Sequence, residues 1–522
     1  MHSVSPLLSL APISLLLAVA TAQDNGIDIR DKMEWMEHIL VDNNGTNNDG
    51  FMNAVTPCLN YVGFASNGSD RGEQSSAQWV RIAFHDFVTG NLTTGLGGLD
   101  ASIGFESDRF ENAGLFVNDT LQFFSPTVSA YMSMADNIAL GVIASVAECG
   151  GTNTGIVPRT GRIDADAAGP AGVPEPTTDL ATTLAQFAAA GFNQADTIAL
   201  TACGHSLGRV HYSNFPDIVD ESYVTSTNLD GGEPFDATPG VFDSAVVNEY
   251  LGQTGSFGGP LVTAPNVTDR SDYRLYISDS NVTMQSISEE ASFQSTCNAL
   301  FQRMIDTVPS TVTLSDPITP MEWKGVDLML DINSSGTVSI SGLIRNLYTT
   351  TTPPDTVSYT TTNAGVNSTT QTSDATSGNG TSIYGSTIYW PFNSTIESPG
   401  TDTLTINSAI SYPVNDNIFV LPAQSTINST TKAVVLRGAA LTSLVGSESM
   451  TGVLYVPTTQ TGTITKKVTN VTVEMESVGT SGNYTLFEGS VTASSATSIV
   501  AKVLLGDSAS RTVRSDIFVG GL

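Results

Sequence analysis

The sequence predicts two folded units in series: a mainly α-helical domain, residues 23–318, and an all-β, sandwich-like domain, residues 319–522. Three observations predict it. Apolar residues recur at helical spacing in the first part and alternate with polar ones in the second. All four cysteines, Cys58, Cys149, Cys203 and Cys297, lie before residue 300. Basic residues divide at the same place: eleven precede residue 319 and only Lys32 is a lysine, whereas five of the nine that follow are lysines. With 522 residues, both units can bury cores of their own.

At the N-terminus, the apolar run Leu7–Val19 is followed by Ala20-Thr21-Ala22, a small-residue cleavage pattern. It predicts a secretory signal peptide over residues 1–22 and an extracellular, secreted protein. Thirteen Asn-x-Ser/Thr sequons, at Asn44, Asn67, Asn91, Asn118, Asn266, Asn281, Asn333, Asn367, Asn379, Asn393, Asn428, Asn470 and Asn483, predict a glycoprotein on that route. Four cysteines in an oxidising compartment predict two disulfides, with three possible connectivities.

Helical spacing then marks Ala77–Asp86, Tyr131–Ala147, Asp179–Gly191, Asn193–Ala202 and Glu289–Val308. Beyond them Val326, Leu328, Leu330 and Ile332 alternate with Asp327, Met329 and Asp331. Asn333-Ser334-Ser335-Gly336 follows, then a second alternating run from Val338, which together predict a hairpin. Further strands are expected around 419–421, 433–436, 468–475 and 498–505, with a Thr/Ser-rich loop or linker at 349–382.

The formal charge is −31 with pI about 4.2. Such a surface repels phosphate backbones and anionic lipid, so neither nucleic acid nor membrane is an expected partner. After the leader no apolar stretch reaches the ~18 residues of a membrane span.

Histidine is scarce, and two of the five sit in unusual company. In Arg81-Ile82-Ala83-Phe84-His85-Asp86, Arg81 and His85 are four apart and share a helix face. A fixed cation beside an imidazole lowers its pKa and keeps it neutral, as a base should be. Gly98-Leu99-Asp100-Ala101-Ser102 follows and, with Asp86, offers hard oxygen donors suited to Ca²⁺. The second string, Cys203-Gly204-His205-Ser206-Leu207-Gly208, closes an apolar helix beside a glycine that permits close approach of a flat ligand. Taken singly, each string also reads as a satisfied structural histidine and an ordinary turn.

Together these strings resemble the plant-type haem peroxidase superfamily, most closely its secreted fungal members, over roughly residues 55–310. Arg81 to Asp86 resembles the distal helix, Gly97 to Ile103 the distal calcium loop, and Glu111 to Leu115 the segment of the distal asparagine. Cys203 to Gly208 resembles the proximal helix, Pro234 to Asp243 the proximal calcium loop, and Ile277-Ser278-Asp279 the segment of the proximal aspartate.

The resemblance implies haem b and two Ca²⁺ ions. His205 would be the axial iron ligand with Asp279 on its other nitrogen, and His85 the acid–base residue, oriented by Asn112 and assisted by Arg81. Phe84 and Phe235 would pack against the haem. Asp86, Gly98, Asp100 and Ser102 would hold the distal calcium, and Ser206, Asp236, Thr238, Val241 and Asp243 the proximal one. It also implies a Cys58–Cys149 disulfide, leaving Cys203 with Cys297, and Val173 to Pro176 as a loop at the haem edge.

The implied activity is reduction of hydrogen peroxide and one-electron oxidation of small phenolic or dye-like donors through a ferryl intermediate, by a monomer. The tryptophan that some fungal members carry five residues before the proximal histidine is Leu200 here. The competing reading is a catalytically inert secreted glycoprotein whose β-domain binds cell-wall or polymeric carbohydrate. A degenerate copy should have lost one of Arg81, His85, Asn112, His205 or Asp279, and all five are present. A Ca²⁺-dependent hydrolase built on Asp86 and His85 lacks a nucleophile motif.

Overall fold

Asp28 opens the first helix by accepting the N–H of Arg30, one of the donors that a helix start leaves free. The structure, a computed structural model, describes residues 26–519 except 46, 48, 56, 60–70, 151–154, 350–355, 362–370, 373–379 and 397–402. The expected signal peptide, the sequons at Asn67, Asn367 and Asn379, and much of the Thr/Ser-rich segment 349–382 lie outside the described residues.

Among the described residues eleven α-helices make the first unit: α1 (Ile29–Val41), α2 (Ser75–Phe87), α3 (Phe116–Phe124), α4 (Met134–Gly150), α5 (Leu180–Ala189), α6 (Gln194–Gly204), α7 (Ala245–Gly252), α8 (Pro260–Thr263), α9 (Ser271–Tyr276), α10 (Val282–Ser286) and α11 (Glu290–Asp306). The five helices expected from spacing are α2, α4, α5, α6 and α11. α4 is apolar all round and buried from Met134 to Ala147, as a central helix must be. α2 packs across it at Gly141, where a Cβ would lie 2.9 Å from the Phe124 ring and 3.4 Å from Trp79. Trp79 is core, within 5.2 Å (ring centroids) of Phe51, Phe123 and Phe124.

Cys58–Cys149 ties the segment before α2 to the end of α4, and Cys203–Cys297 ties the end of α6 to α11. Their sequence separations of 91 and 94 residues restrict the unfolded chain strongly, by about 4–5 kcal/mol each in the chain-entropy picture.

From Trp323 onward the described residues are mainly strand, with one four-residue α-helix at Thr442–Val445. The expected hairpin pairs Trp323–Ile332 with Val338–Tyr348, with a bulge between Val326 and Met329 where Asp327 takes φ +51°. These strands continue into Gly385–Ile396 and Gly380–Ser382 as a four-stranded antiparallel sheet. Among the described residues a nine-stranded sheet, a three-stranded sheet and a two-stranded pair, Thr356–Val357 with Gln371–Thr372, make up the rest. One core, with Trp390, Tyr359 and Tyr484, gathers side chains from the four-, three- and nine-stranded sheets, and a second, around Leu436, Leu454 and Val503, lies within the nine-stranded sheet. This is the sandwich-like architecture expected. Among the described residues no helix is long and apolar enough to cross a membrane.

The two units are joined by buried charge. Glu37 on α1 accepts from Lys324 Nζ at 2.7 Å and from Arg345 Nη2 at 2.5 Å, while Asp42 takes Arg345 Nη1 at 3.0 Å, the Tyr389 hydroxyl and His38 Nδ1 at 2.9 Å. Both carboxylates and Arg345 are almost fully enclosed. A second contact is steric: a Cβ at Gly104 would lie 2.4 Å from Thr465 Oγ1 and 2.7 Å from Thr463 Oγ1. The β-domain therefore sits directly on the loop after Asp100.

Candidate active site

Arg81 and His85 are one turn apart on α2, so their side chains meet. Arg81 Nε donates to His85 Nε2 at 3.3 Å and its Nη2 donates to the Ala113 carbonyl at 3.2 Å. His85 Nδ1 contacts Asn112 Oδ1 at 2.8 Å, and the Asn112 amide is oriented by donating to the Glu106 carbonyl at 3.0 Å. These partners assign the proton to Nδ1 and leave the lone pair on Nε2, beside the guanidinium. Burial, and then the charge of Arg81, push the His85 imidazole down to about 3 despite the Asn112 contact. Burial brings Arg81 down to about 10, which leaves it a cation at neutral pH.

The second histidine is delivered by α6. This helix starts with a reciprocal cap between Asn193 and Asp196, buries Ile198, Ala199, Leu200 and Ala202, and ends with His205 at its C-cap. A Cβ at Gly204 would meet nothing within 4 Å, so the helix ends beside open space. The His205 ring stacks on Phe235, with centroids 4.2 Å apart and planes 6° apart. Its Nδ1 bonds Asp272 Oδ2 at 2.7 Å, and among the described residues its Nε2 has no hydrogen-bond partner.

That bond corrects the expectation for Asp279. Its Oδ2 accepts instead from Thr283 N at 2.9 Å and Thr283 Oγ1 at 2.6 Å, which holds the start of α10. Asp279 follows the end of α9, whereas Asp272 lies in its first turn, with Leu275 and Tyr276 on the same buried face. The signal was in the sequence: a carboxylate three and four residues before apolar neighbours points inward and must find a partner.

Arg81, Phe84 and His85 line the same cavity as His205, Phe235 and Asp272; its volume is about 230 Å³. Leu200, Leu207 and Leu261 give it apolar walls, and Pro174, Glu175 and Pro176 from the expected edge loop also border it. The donor set fits a haem: an apolar slot, one imidazole with a free Nε2 and a carboxylate behind it, and a second, neutral imidazole paired with a cation.

The calcium sets come together in part. Asp86 Oδ2 accepts from the N–H groups of Asp100 and Ala101 at 2.9 and 2.7 Å, and its Oδ1 from Ile103 N at 3.0 Å and Ser102 Oγ at 3.4 Å. Gly98 makes the preceding turn at φ +101°. Burial and mutual repulsion hold the Asp86 carboxyl well above its ordinary range, and burial raises Asp100.

In the second loop Asp236 accepts from Thr238 N at 2.8 Å, and Thr238 Oγ1 reaches both Asp243 oxygens at 3.2 Å. Val241 N bonds the Thr238 carbonyl at 2.8 Å, and Gly208 N bonds the Pro239 carbonyl at 3.1 Å, which brings the Ser206 segment alongside. Among the described residues, buried Asp236 Oδ2 has no hydrogen-bond partner, and burial followed by neighbouring carboxylates pushes this group up to about 7. Paired buried carboxylates and an orphaned oxygen are what a bound cation would relieve, so the residues fit calcium. Among the described residues no three His, Cys, Asp or Glu side chains converge, so both sets depend on hydroxyl and carbonyl oxygens as well.

Residues 64–304 match the family model described as peroxidase. A WSC domain-containing protein of Arthroderma benhamiae is 43% identical over 331 residues, covering 62% of this chain and 44% of that relative. Versatile peroxidase VPS1 of Pleurotus eryngii is 31% identical over 206 residues, 37% of this chain and 50% of its own length. A putative L-ascorbate peroxidase 6 of Arabidopsis thaliana is 30% identical over 150 residues, 28% of this chain and 44% of its own. The chain spans half or less of the length of these curated relatives. Residues 64–304 are a peroxidase-family domain, followed by an all-β extension.

Proposed function

We propose that this chain is a secreted, glycosylated haem peroxidase that reduces hydrogen peroxide and oxidises small phenolic or dye-like donors one electron at a time. The observation that carries the reading is the shared cavity: a neutral His85 beside Arg81 and an Nε2-free His205 backed by Asp272 border one apolar space.

His205 Nε2 would hold the haem iron. Bound haem supplies the redox chemistry, and the protein tunes and orients it. His85 Nε2 takes a proton from hydrogen peroxide and returns it to the departing oxygen, base first and acid second. Asn112 keeps the ring in the tautomer that leaves Nε2 unprotonated. Arg81 faces the charge that grows as the O–O bond lengthens, in a buried setting where that attraction is strong. Phe235 holds the plane of His205 by stacking. Two Ca²⁺ ions would brace the histidines through Asp86, which follows His85, and through Ser206, which follows His205. The β-domain packs on the enzyme through α1 and Gly104.

The test is a His85→Ala variant. It should keep the haem absorption band while its reaction with peroxide, followed by stopped flow, slows by roughly 10²–10⁴-fold. An unchanged rate would remove the acid–base role from His85.

A further inference from the structure

We propose that Tyr276 is a positioning residue for His205, acting through Asp272 by sharing the carboxylate oxygen that holds the imidazole. The inference rests on the haem-peroxidase reading above. Tyr276 is one turn after Asp272 on α9 and wholly buried. Its hydroxyl donates to Asp272 Oδ2 at 3.4 Å, the same oxygen that accepts His205 Nδ1–H at 2.7 Å. Among the described residues the phenol has no other hydrogen-bond partner, and an enclosed hydroxyl left unpaired is costly, so this contact is held.

The ring has little freedom to leave. It packs edge-on against Tyr250 at 5.1 Å between centroids, and the Tyr250 hydroxyl donates to Asn281 Oδ1 at 2.8 Å. Ser271 Oγ donates to the other carboxylate oxygen at 3.1 Å. Burial and the adjacent carboxylate raise the Tyr276 phenol well above its ordinary value, so it remains a donor.

The consequence follows from competition for one acceptor. A carboxylate behind a metal-bound imidazole draws on its N–H and makes the ring a stronger donor to the metal. A second donor on the same oxygen spreads the carboxylate's charge and weakens that pull. Tyr276 therefore restrains the electron donation of His205. It does not border the cavity itself, and so acts only through Asp272.

The experiment uses the full-length, haem-loaded protein and reads the ferric/ferrous reduction potential and the iron–histidine stretching frequency. Tyr276→Phe keeps the ring and removes the hydroxyl. It should bind haem normally, shift the potential to more negative values and raise the stretching frequency. Ser271→Ala, which frees the other oxygen, should shift both in the same direction by less. In an Asp272→Asn background, Tyr276→Phe should produce no further shift. An unmoved or positive-going potential in the Asp272-containing protein would overturn the proposal. So would an equal shift in both backgrounds, since that marks a packing effect. A protein that takes up no haem at all would overturn the functional reading and this inference with it, whereas a haem-loaded protein with an unmoved potential overturns this inference alone.

Discussion

His205 and His85 are the same side chain given different surroundings by their neighbours. His85 has an amide oxygen on Nδ1 and a guanidinium beside Nε2, which keep it neutral with its lone pair turned toward Arg81. His205 has a carboxylate on Nδ1, which suits a ligand that must donate strongly. The carboxylates of α9 and its exit separate by the same logic. Asp272→Asn should weaken the axial ligand and change the haem spectrum and potential. Asp279→Ala should leave both unchanged and cost about 1 kcal/mol of stability, measured by denaturant unfolding, because Thr283 N and Oγ1 at the start of α10 lose the carboxylate they donate to. At this scale the shared helix face of Arg81 and His85, and the place of His205 at the end of an apolar helix, were legible from spacing and from neighbours in the sequence. Asp272 was not singled out: Asp279 stood in the more recognisable string, and only the burial of the α9 face separates the two.

Elements carry the next level. α2 bears His85 and, one residue later, Asp86, whose carboxylate gathers the N–H groups of Asp100, Ala101 and Ile103. α6 ends in His205, with Ser206 next and the Asp236–Asp243 loop alongside. Each histidine is thus one residue from a cluster of enclosed oxygens. Chelating calcium should lower the thermal midpoint and the activity together, and restoring Ca²⁺ should recover both. A site filled at 100 times its dissociation constant contributes about 2.7 kcal/mol. A melting temperature indifferent to chelator would remove both metal assignments. Helical periodicity identified α2, α4, α6 and α11, each of which buries a run of residues, and α5, which buries Phe187 alone. The short helices α7 to α10 escaped it because four to eight residues complete too few turns for a period to register.

For the molecule as a whole, the least legible feature was how the two units meet. Glu37, Asp42, Lys324 and Arg345 are ordinary surface-type residues in sequence, separated by nearly 300 positions, and only the tertiary fold encloses them. Burial alone would raise Asp42, but the His38 hydrogen bond and the Arg345 charge overcome it and bring the group down to about 2; Lys324 and Arg345 likewise lower Glu37. Because both folded values lie below those of the unfolded chain, the stabilisation is complete above pH ~4 and is lost as pH falls from there toward about 2. Arg345→Met would leave two enclosed carboxylates short of a cation, a cost of about 3–5 kcal/mol at pH 7. That deficit should shrink on acidification as the carboxylates take up protons, read from urea midpoints across pH 3–7. A deficit constant with pH would show that Arg345 acts by packing alone.

His205 and His85 border one cavity, and the proposed role of His205 is to hold the haem iron there. That role is checked by the Soret absorbance per protein in material purified from a haem-replete host, for the native chain and for His205→Ala. One haem per native chain, and loss of tight haem binding in the variant, are expected of it. A colourless native protein, or a variant with the same spectrum and haem content, would contradict it.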